Sequence, residues 1–334
     1  MNVLVTGATG FVGRRLVARL LETRPEDRLT ALVLPDEAVP PEYEGRVRIV
    51  RGDLREAESV RAAVAGQHRV FHLAAVISYL RRDGALLEAV NRDGVASLVD
   101  ACLVEGVGRL VHVSSVGAVG FRRDGTPAAE DEPFNWPEAF AYMRTKREGQ
   151  RLVEQAVRER SLDAVIVCPA SVMGPGDPSP RSPHNRLYRD MFRRPLFVGT
   201  LAGGLAVVDV RDVVDVVLAA ADRGRRGDVY LAVGANVPYS RVLSVMAAKV
   251  GRPFVPLVIP PVVLRGAGWL AEATAVITKG RPLLTEAYGR LSGWRAYYSN
   301  EKSCRELGVT YRRLEDTIGD GCDDYAARFL TGRR

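Results

Sequence analysis

Short apolar runs alternate with amphipathic segments along the first half of the chain. Val3, Leu4 and Val5 form a run of the kind that makes a buried strand. Comparable runs predict further strands at residues 29–34, 46–50, 69–73, 109–113 and 163–168. Between them, apolar residues three and four positions apart predict helices near residues 12–21, 55–65, 85–105 and 137–160, the last capped by Asn135 with Pro137 in its first turn. This alternation predicts an α/β fold with a doubly wound parallel sheet.

Three glycines follow the first strand at three-residue spacing and open the first helix. Gly7, Gly10 and Gly13 allow a tight turn and a close approach of the backbone to a ligand. The helix N-terminus adds unpaired N–H groups and the positive end of a dipole. A glycine triplet alone would only shape a turn, but between a strand and a helix it predicts a site for the pyrophosphate of a dinucleotide.

Small and polar residues stand directly after several predicted strands. Asp53, Ala74, Ala75, Ser114 and Ser115 occupy such positions. Parallel sheets bind ligands beyond the carboxyl ends of their strands, so these residues should line one crevice. The Ser115 hydroxyl could hydrogen-bond a substrate carbonyl or alcohol, whereas capping of the strand end suits Ser114 better.

The pattern changes after residue 170. Residues 178–196 are predicted to be irregular, a helix opens within residues 207–212, and a late strand lies at 228–233. Further helices are predicted near residues 239–250, 262–278 and 314–330. We predict a dinucleotide-binding (Rossmann) domain over residues 1–170, to which the helix and strand near 207–235 return, and a smaller C-terminal substrate-binding lobe over residues 171–206 and 236–334.

Tyr142 and Lys146 are four residues apart on a predicted helix and therefore share a face. A tyrosine with a pKa of about 10 transfers protons poorly at neutral pH, and a neighbouring ammonium lowers that pKa. Only four of the 47 basic residues are lysines. A lysine at this position indicates that a compact ammonium is required. We predict a catalytic pair rather than a chance pair on a solvated helix.

Composition narrows the partners and the compartment. The net charge is +7, but the basic residues are scattered among acidic ones, which disfavours a nucleic-acid partner. The four cysteines lack the paired spacing of a zinc or redox motif, so we predict no metal and free thiols in a reducing cytoplasm. A strand at the first residues leaves no room for a signal peptide, and we expect a cytoplasmic protein.

The most apolar stretch covers residues 255–278. Pro260, Pro261, Arg265 and Glu272 interrupt it, so it is a poor transmembrane segment. It is predicted to form a buried helix entered through the prolines, with attachment to a membrane surface as the alternative.

These motifs together resemble one known family. Its pattern is matched in order by Gly7, Gly10 and Gly13, by Gly52 to Leu54, His72 to Ala75, Asn91, Val113 to Ser115, Tyr142 with Lys146, Pro169 to Asp177, and the tail from Tyr298 to Gly308. The chain resembles the extended short-chain dehydrogenase/reductases of the NAD-dependent epimerase/dehydratase superfamily. It is most similar to the branch with dihydroflavonol-reductase-like and 3β-hydroxysteroid-dehydrogenase-like enzymes.

The resemblance implies a role for each matching residue. Ser115, Tyr142 and Lys146 would be catalytic, and Asn91 would order the site unless its bonds serve only its own helix. Asp53 would bind the adenine amino group, and Pro169 to Val172 would lie against the nicotinamide. The implied cofactor-binding residues are Gly7, Thr9, Gly10, Phe11, Val12, Gly13, Asp53, Leu54, Leu73, Ala74, Ala75, Tyr142, Lys146, Pro169, Ser171 and Val172. A homodimer through two long helices is the family expectation.

The chain departs from the family pattern at three places. Val33 and Leu34 stand where NAD-preferring members carry an acid and NADP-preferring members an arginine, so NADP(H) is slightly favoured, and NAD(H) stays open because Asp36 could replace the acid. Cys168 replaces an arginine that family members often have. Val116 and Gly117 replace the Asp-Glu pair of the dehydratases, which argues against sugar-nucleotide dehydration.

The leading hypothesis is an NAD(P)-dependent ketone or aldehyde reductase, or secondary-alcohol dehydrogenase. Few polar groups occur in residues 76–80 and 255–270, which favours an apolar small-molecule substrate. One alternative is a nucleotide-sugar epimerase with tightly bound NAD, in which Arg211 could contact a phosphate, although a structural role is the safer expectation for that arginine. A second alternative is a non-catalytic, dinucleotide-sensing regulatory protein.

Overall fold

The computed structural model describes residues 1–180, 182–278, 280, 282 and 284–330. The strands are β1 (Asn2–Thr6), β2 (Arg28–Val33), β3 (Val47–Arg51), β4 (Arg69–His72), β5 (Arg109–Val113), β6 (Ala164–Pro169), β7 (Ser171–Met173), β8 (Phe197–Leu201), β9 (Gly204–Asp209), β10 (Val229–Ala232), β11 (Ala235–Pro238), β12 (Phe254–Ile259) and β13 (Arg295–Ala296). The helices are α1 (Phe11–Thr23), α2 (Ala57–Val64), α3 (Gly84–Glu88), α4 (Gly94–Val104), α5 (Ala141–Glu159), α6 (Pro183–Arg193), α7 (Val210–Arg223), α8 (Tyr239–Val250), α9 (Pro261–Thr278), α10 (Glu286–Leu291), α11 (Glu301–Leu307) and α12 (Leu314–Phe329).

A parallel sheet with the strand order β10-β6-β5-β4-β1-β2-β3 forms the centre of the fold. The chain runs outward in one direction from β1 to β3 and in the other from β4 to β10, so the order reverses between β1 and β4. Open sheets of this kind bind ligands at the carboxyl ends of the strands beside that reversal. The predicted α/β fold with a doubly wound parallel sheet is confirmed.

The central strands are buried because helices cover both faces of the sheet. Val3, Leu4 and Val5 are fully buried in β1, and the strand residues from Ala164 to Cys168 are fully buried in β6. The late helix α7 packs against α1, and β10 pairs with β6, so both lie at the central sheet.

A second, smaller set of elements follows β6. Strands β7, β9, β11 and β13 form one small sheet, and β8 pairs with β12. Helices α6, α8 and α12 share a separate apolar core with the side chains of Tyr188, Met191, Met246, Ile318 and Tyr325.

Residues 178–196 are not irregular as predicted, because α6 occupies most of this segment. Ser182 accepts a hydrogen bond from Asn185 N (3.3 Å), and Pro183 stands in the first turn. Tyr188 and Met191, three residues apart, are fully buried on one face. The helix was not predicted because its apolar face is short and the segment contains many arginines.

The helix predicted at 137–160 begins later, at Ala141. Asn135 does not cap it, since its side chain bonds the backbone N and O of Phe121 (3.1 and 2.7 Å). The helix predicted at 85–105 is interrupted by a π turn, Ala89–Asp93, which contains Asn91.

The helix predicted near residues 262–278 is found, but the expectation that the stretch 255–278 is one buried helix is wrong. The segment forms the strand β12 and then α9, and Val262, Val263, Trp269 and Leu270 of α9 are exposed. Within the part of the chain that the structure describes, no helix is long and apolar enough to cross a bilayer.

Candidate active site

The glycine turn brings β1, α1 and the end of β4 into direct backbone contact. Gly7 has a positive φ of 67°, and a Cβ there would lie 2.7 Å from Ala74 N. A Cβ at Gly13 would lie 2.0 Å from Gly7 O. No side chain caps α1 at Gly10, and its first turn holds no acidic residue. The cradle therefore fits a pyrophosphate, because only glycine suits the turn and the N–H groups of the helix start are available to an anion.

Asp53 lies at the far edge of the crevice, after β3. Its carboxylate accepts hydrogen bonds from Arg55 Nε (2.9 Å), Arg55 Nη2 (2.5 Å) and Arg55 N (2.9 Å). The side-chain hydrogen bond from Arg55 holds the pKa of Asp53 below its usual value. The carboxylate is thus ionised and fixed in direction.

An acid also lies beside the glycine turn, and it is Glu37 rather than Asp36. Glu37 Oε1 accepts a hydrogen bond from Thr9 Oγ1 (2.6 Å). Arg51 Nη1 holds the segment in place, since it donates to the carbonyls of Leu34, Pro35 and Glu37 (2.9, 3.2 and 2.5 Å). Sequence reasoning missed Glu37 because the fold of this loop depends on a guanidinium from the next strand.

Ser115, Tyr142 and Lys146 lie together at the carboxyl ends of β5 and β6. Ser115 opens a short helical turn, its Oγ accepts a hydrogen bond from Gly117 N (3.0 Å), and its side chain is close enough to Tyr142 to lower the pKa of the phenol. Lys146, one turn after Tyr142 on α5, donates from Nζ to Val113 O (3.1 Å). The structure thus brings the three predicted residues to one place.

The expected lowering of the pKa of Tyr142 by Lys146 is not found. Burial raises the pKa of Tyr142, and the nearby Ser115 hydroxyl offsets this only in part. Burial also lowers the pKa of Lys146 to about 8. The physical reason is desolvation, which penalises the phenolate and the ammonium alike, while the ammonium is directed at the Val113 carbonyl.

A buried polar network supports this region from behind. Gln150 Oε1 accepts hydrogen bonds from Ser114 Oγ (2.8 Å) and from the thiol of Cys168 (3.4 Å). Burial raises the pKa of the Cys168 thiol to about 12, so it stays protonated. Cys168 therefore fills the position of an arginine with a neutral group that bonds within the protein.

Two buried histidines lie next to Lys146. The rings of His72 and His112 stack with centroids 5.3 Å apart. His72 Nδ1 bonds Thr6 Oγ1 (2.8 Å), while both ring nitrogens of His112 lack a hydrogen-bond partner in the described part of the chain. Burial and the nearby Lys146 charge lower the pKa of His72 to about 3. Both rings are thus neutral at ordinary pH.

Asn91 acts on the loop after β4 rather than on the open crevice. Its side chain bonds both Val76 N and Val76 O (2.9 Å each), and its Nδ2 lies 3.4 Å from Thr145 Oγ1. A Cβ at Gly149 would lie 2.2 Å from Asn91 O, so the π turn touches α5 directly. Asn91 therefore links the loop to the helix that carries Tyr142.

Further tyrosines border the space in front of Tyr142. The ring of Tyr79 lies edge-on to Tyr142 at 5.9 Å, and Tyr288 of α10 lies edge-on to Tyr79 at 6.5 Å. Burial raises the pKa of Tyr79 and of Tyr288, and Tyr239 of α8 is also buried near both. Sequence reasoning missed this wall, because α8 and α10 are far from Tyr142 along the chain.

The other predicted residues lie at the glycine turn, at or just after the end of a central strand, or in the short strand β7: Thr9, Phe11, Val12, Leu54, Leu73, Ala75, Pro169, Ser171 and Val172. The Phe11 ring is 5.4 Å from His184 of α6, so α6 approaches the start of α1. Arg211 is bound by Asp209 (2.7 Å) and Asp320 (2.7 Å), which is a structural arrangement.

Comparison with known proteins agrees with this geometry. A model of the NAD dependent epimerase/dehydratase family matches residues 3–233. Sterol demethylase protein B of Methylococcus capsulatus is 34% identical over 273 residues, which cover 81% of each chain. A putative dihydroflavonol 4-reductase of Synechocystis is 29% identical over 328 residues and covers 95% of this chain and 92% of that protein.

Among solved structures, the crystal structure of gox2253 has a TM-score of 0.81 and 30% identity, and the match covers 98% of both chains. The resemblance to the extended short-chain dehydrogenase/reductases is confirmed. The chain belongs to the NAD dependent epimerase/dehydratase family.

Proposed function

We propose that this protein is an NAD(P)-dependent oxidoreductase that interconverts a secondary alcohol and a ketone on an apolar substrate. The observation that carries the proposal is the close approach of Tyr142 to Ser115, both half-buried, one turn from Lys146 and in front of a tyrosine wall. Tyrosine beside a hydroxyl and an ammonium suits proton transfer at a substrate oxygen.

The glycine cradle, Asp53 and the residues after β4 and β6 would hold the dinucleotide. When bound, it would accept or supply hydride at the substrate carbon. Ser115 would orient the substrate oxygen through its hydroxyl, and Tyr142 would give a proton to that oxygen or take one from it. The raised pKa of Tyr142 keeps the phenol protonated at neutral pH, which favours the direction in which it donates.

Glu37 supports NAD(H) as the preferred dinucleotide, against the slight preference for NADP(H) that the sequence suggested. Its carboxylate lies beside the glycine turn, where it would repel a 2′-phosphate and could accept a hydrogen bond from a 2′-hydroxyl. The NAD-dependent family assignment points the same way.

The substrate class is argued from the walls of the site. Tyr79, Tyr239 and Tyr288 present large apolar rings, each with one hydroxyl, and Ile77 adds a side chain that is 70% exposed on the loop after β4. Two relatives are named for sterol and dihydroflavonol chemistry, and both names denote polycyclic molecules. We propose a rigid, polycyclic alcohol or ketone.

The test is the Tyr142→Phe variant assayed with both dinucleotides and a panel of steroid and flavonoid alcohols and ketones. Turnover should fall by about 10²–10⁴-fold, the usual contribution of a positioned acid or base, while dinucleotide binding by calorimetry stays unchanged. Unchanged turnover in Tyr142→Phe would overturn the proposal. Purified protein that retains NAD and turns over a sugar nucleotide without added cofactor would establish the epimerase alternative instead.

A dinucleotide-sensing protein would bind cofactor and turn over nothing in the panel. Lys146→Arg is a second test of catalysis against dinucleotide sensing, because a guanidinium is too large for the buried position beside Val113. A catalytic site would lose turnover in this variant.

A further inference from the structure

One face of α9 is apolar and exposed. Val262, Val263, Trp269 and Leu270 have 71%, 55%, 64% and 58% of their surface exposed. Their spacing places them on one side of the helix, together with the exposed small residues Gly266, Ala267 and Ala273. A continuous exposed apolar face of this kind marks an interaction surface.

The opposite face of α9 is fixed to α10. A Cβ at Gly268 would lie 2.3 Å from Thr285 O, and one at Gly289 would lie 2.6 Å from Arg265 N, so the two backbones touch. Arg265 Nε lies 3.4 Å from Glu286 Oε1, and Glu272 accepts a hydrogen bond from Glu286 N (3.2 Å). Both charged side chains of α9 are therefore on the α10 side, and the outer face carries no charge.

Exposed apolar side chains also occur on the β8–β12 pair, and β12 directly precedes α9 in the chain. Val255, Leu257 and Val258 of β12 are 48%, 63% and 53% exposed, and Val198 of β8 is 51% exposed. Pro260 alone separates β12 from α9. We call these residues, together with the outer face of α9, the apolar platform.

Cationic side chains border the apolar platform. Arg290 (2.6 Å), Arg265 (3.4 Å) and Arg81 (4.0 Å) share the single carboxylate of Glu286. The Arg81 side chain is 77% exposed. Just before β8, Arg194 lies over the Phe197 ring (5.9 Å), is 62% exposed and pairs with Asp190 (3.7 Å). These four guanidinium groups pair with two carboxylates, those of Glu286 and Asp190, so they outnumber their acidic partners.

We propose that the apolar platform binds the surface of an anionic phospholipid bilayer, with α9 lying in the plane of the interface. A helix with one uncharged apolar face, an exposed tryptophan and flanking arginines has the composition of an interfacial helix. The arginines would then meet lipid phosphates, while Trp269 and the aliphatic side chains enter the boundary with the acyl chains.

A second copy of the chain fits the platform less well. In a two-fold dimer the same patch faces itself, so arginines at the border of one copy would approach arginines of the other. Like charges brought together at an interface weaken it, whereas anionic headgroups neutralise the same residues.

The platform lies behind one wall of the proposed active site. Helix α10, which packs against α9, supplies Tyr288. The ring of Tyr288 contacts Tyr79 in front of Tyr142. An apolar substrate dissolves in the bilayer, so binding of the protein there would bring the active site close to the substrate. Lipid binding itself does not depend on the proposed reaction, so the two can fail separately.

The experiment is flotation of the full chain with vesicles of phosphatidylcholine, with and without phosphatidylglycerol. We expect flotation with the anionic vesicles and much less with phosphatidylcholine alone. The Arg81→Gln/Arg194→Gln variant should bind anionic vesicles about 25-fold more weakly, since each arginine near such a surface contributes about fivefold. The Val262→Ser/Leu270→Ser variant should weaken binding about tenfold or more.

Two variants serve as controls. Val104, which is 75% exposed at the end of α4, is outside the platform, so Val104→Ser should bind vesicles as the unaltered chain does. Brominated acyl chains should quench the fluorescence of Trp269, whereas Trp136 is buried and the half-buried Trp294 packs with it against Phe121. Trp269→Phe should bind vesicles but lose this quenching.

Absence of flotation with anionic vesicles would overturn the proposal, as would equal loss of binding in Val104→Ser. A dimer in sedimentation that the serine variant converts to a monomer, without vesicle binding, would assign the platform to self-association instead.

Discussion

His72 and His112 form a stacked pair inside the protein, and we predict that this pair makes the fold sensitive to acid. The pKa of His72 is lowered from 6.5 to about 3 by burial and by the charge of Lys146. The same two causes, with His72 added, lower the pKa of His112. In the unfolded chain both rings regain contact with water and bind protons near their ordinary pKa.

The direction of the effect follows from proton uptake. Below pH 6.5 His72 binds a proton in the unfolded state, whereas in the folded state it binds one only near pH 3. The free energy of unfolding therefore falls as the pH falls through this window. Each pH unit removes about 1.4 kcal/mol per histidine. At about pH 5 the loss from His72 is about 2 kcal/mol, which lowers the melting temperature by about 3 °C for a chain of this length, and His112 adds to this loss.

The assay is calorimetric melting of the unaltered protein and of the His72→Asn/His112→Leu variant at neutral pH and at about pH 5. The variant should lose less stability on acidification, by about 2 kcal/mol for His72 and by a further amount in the same direction for His112. Carboxylates titrate in both proteins, so the difference between them isolates the histidines. His68→Asn is the matched control. Because His68 is exposed, this variant should lose as much stability on acidification as the unaltered protein does. An equal acid response in the double variant would show that the folded state binds these protons, and the reasoning would be refuted.

Two further predictions concern the dinucleotide site. Glu37→Gln should raise the affinity for NADP(H) relative to NAD(H) by about tenfold, because it removes a charge that would face the 2′-phosphate. Calorimetric titration with both dinucleotides measures this ratio, and an unchanged ratio would show that Glu37 does not face the ribose. Gly13→Ala should lower the free energy of unfolding by about 1–3 kcal/mol and weaken dinucleotide binding, since the added Cβ would lie 2.0 Å from Gly7 O. Gly84→Ala is the control, because a Cβ there meets nothing within 4 Å, and melting and binding that match this control would contradict the contact.

Much of the central sheet could be predicted because its signals are local. The run from Val3 to Val5 lies within one strand, and the glycines from Gly7 to Gly13 stand at the turn they form. Tyr142 and Lys146 are on a single helix, so their spacing alone places them on one face. In each case the residues that define the feature are neighbours in sequence.

The rest depends on contacts between distant segments. Glu37 reaches the glycine turn because Arg51 holds its loop, and neither residue signals this in sequence. The wall around Tyr142 combines Tyr79 and Tyr288, which are more than two hundred residues apart. The outer face of α9 has the apolar composition of a core helix, and only its backbone contact with α10 shows which side is covered.

The π turn at Ala89–Asp93 gives the loop after β4 its attachment, since it directs Asn91 to Val76. Deleting one residue from this turn would allow an uninterrupted α-helix and would rotate the asparagine by about 100° around the axis. The loop that leads to Tyr79 would then lose this attachment, although Ser115, Tyr142 and Lys146 would all still be present. Chain length at one helical turn, rather than any change among the reacting groups, would set how wide a molecule the enzyme admits.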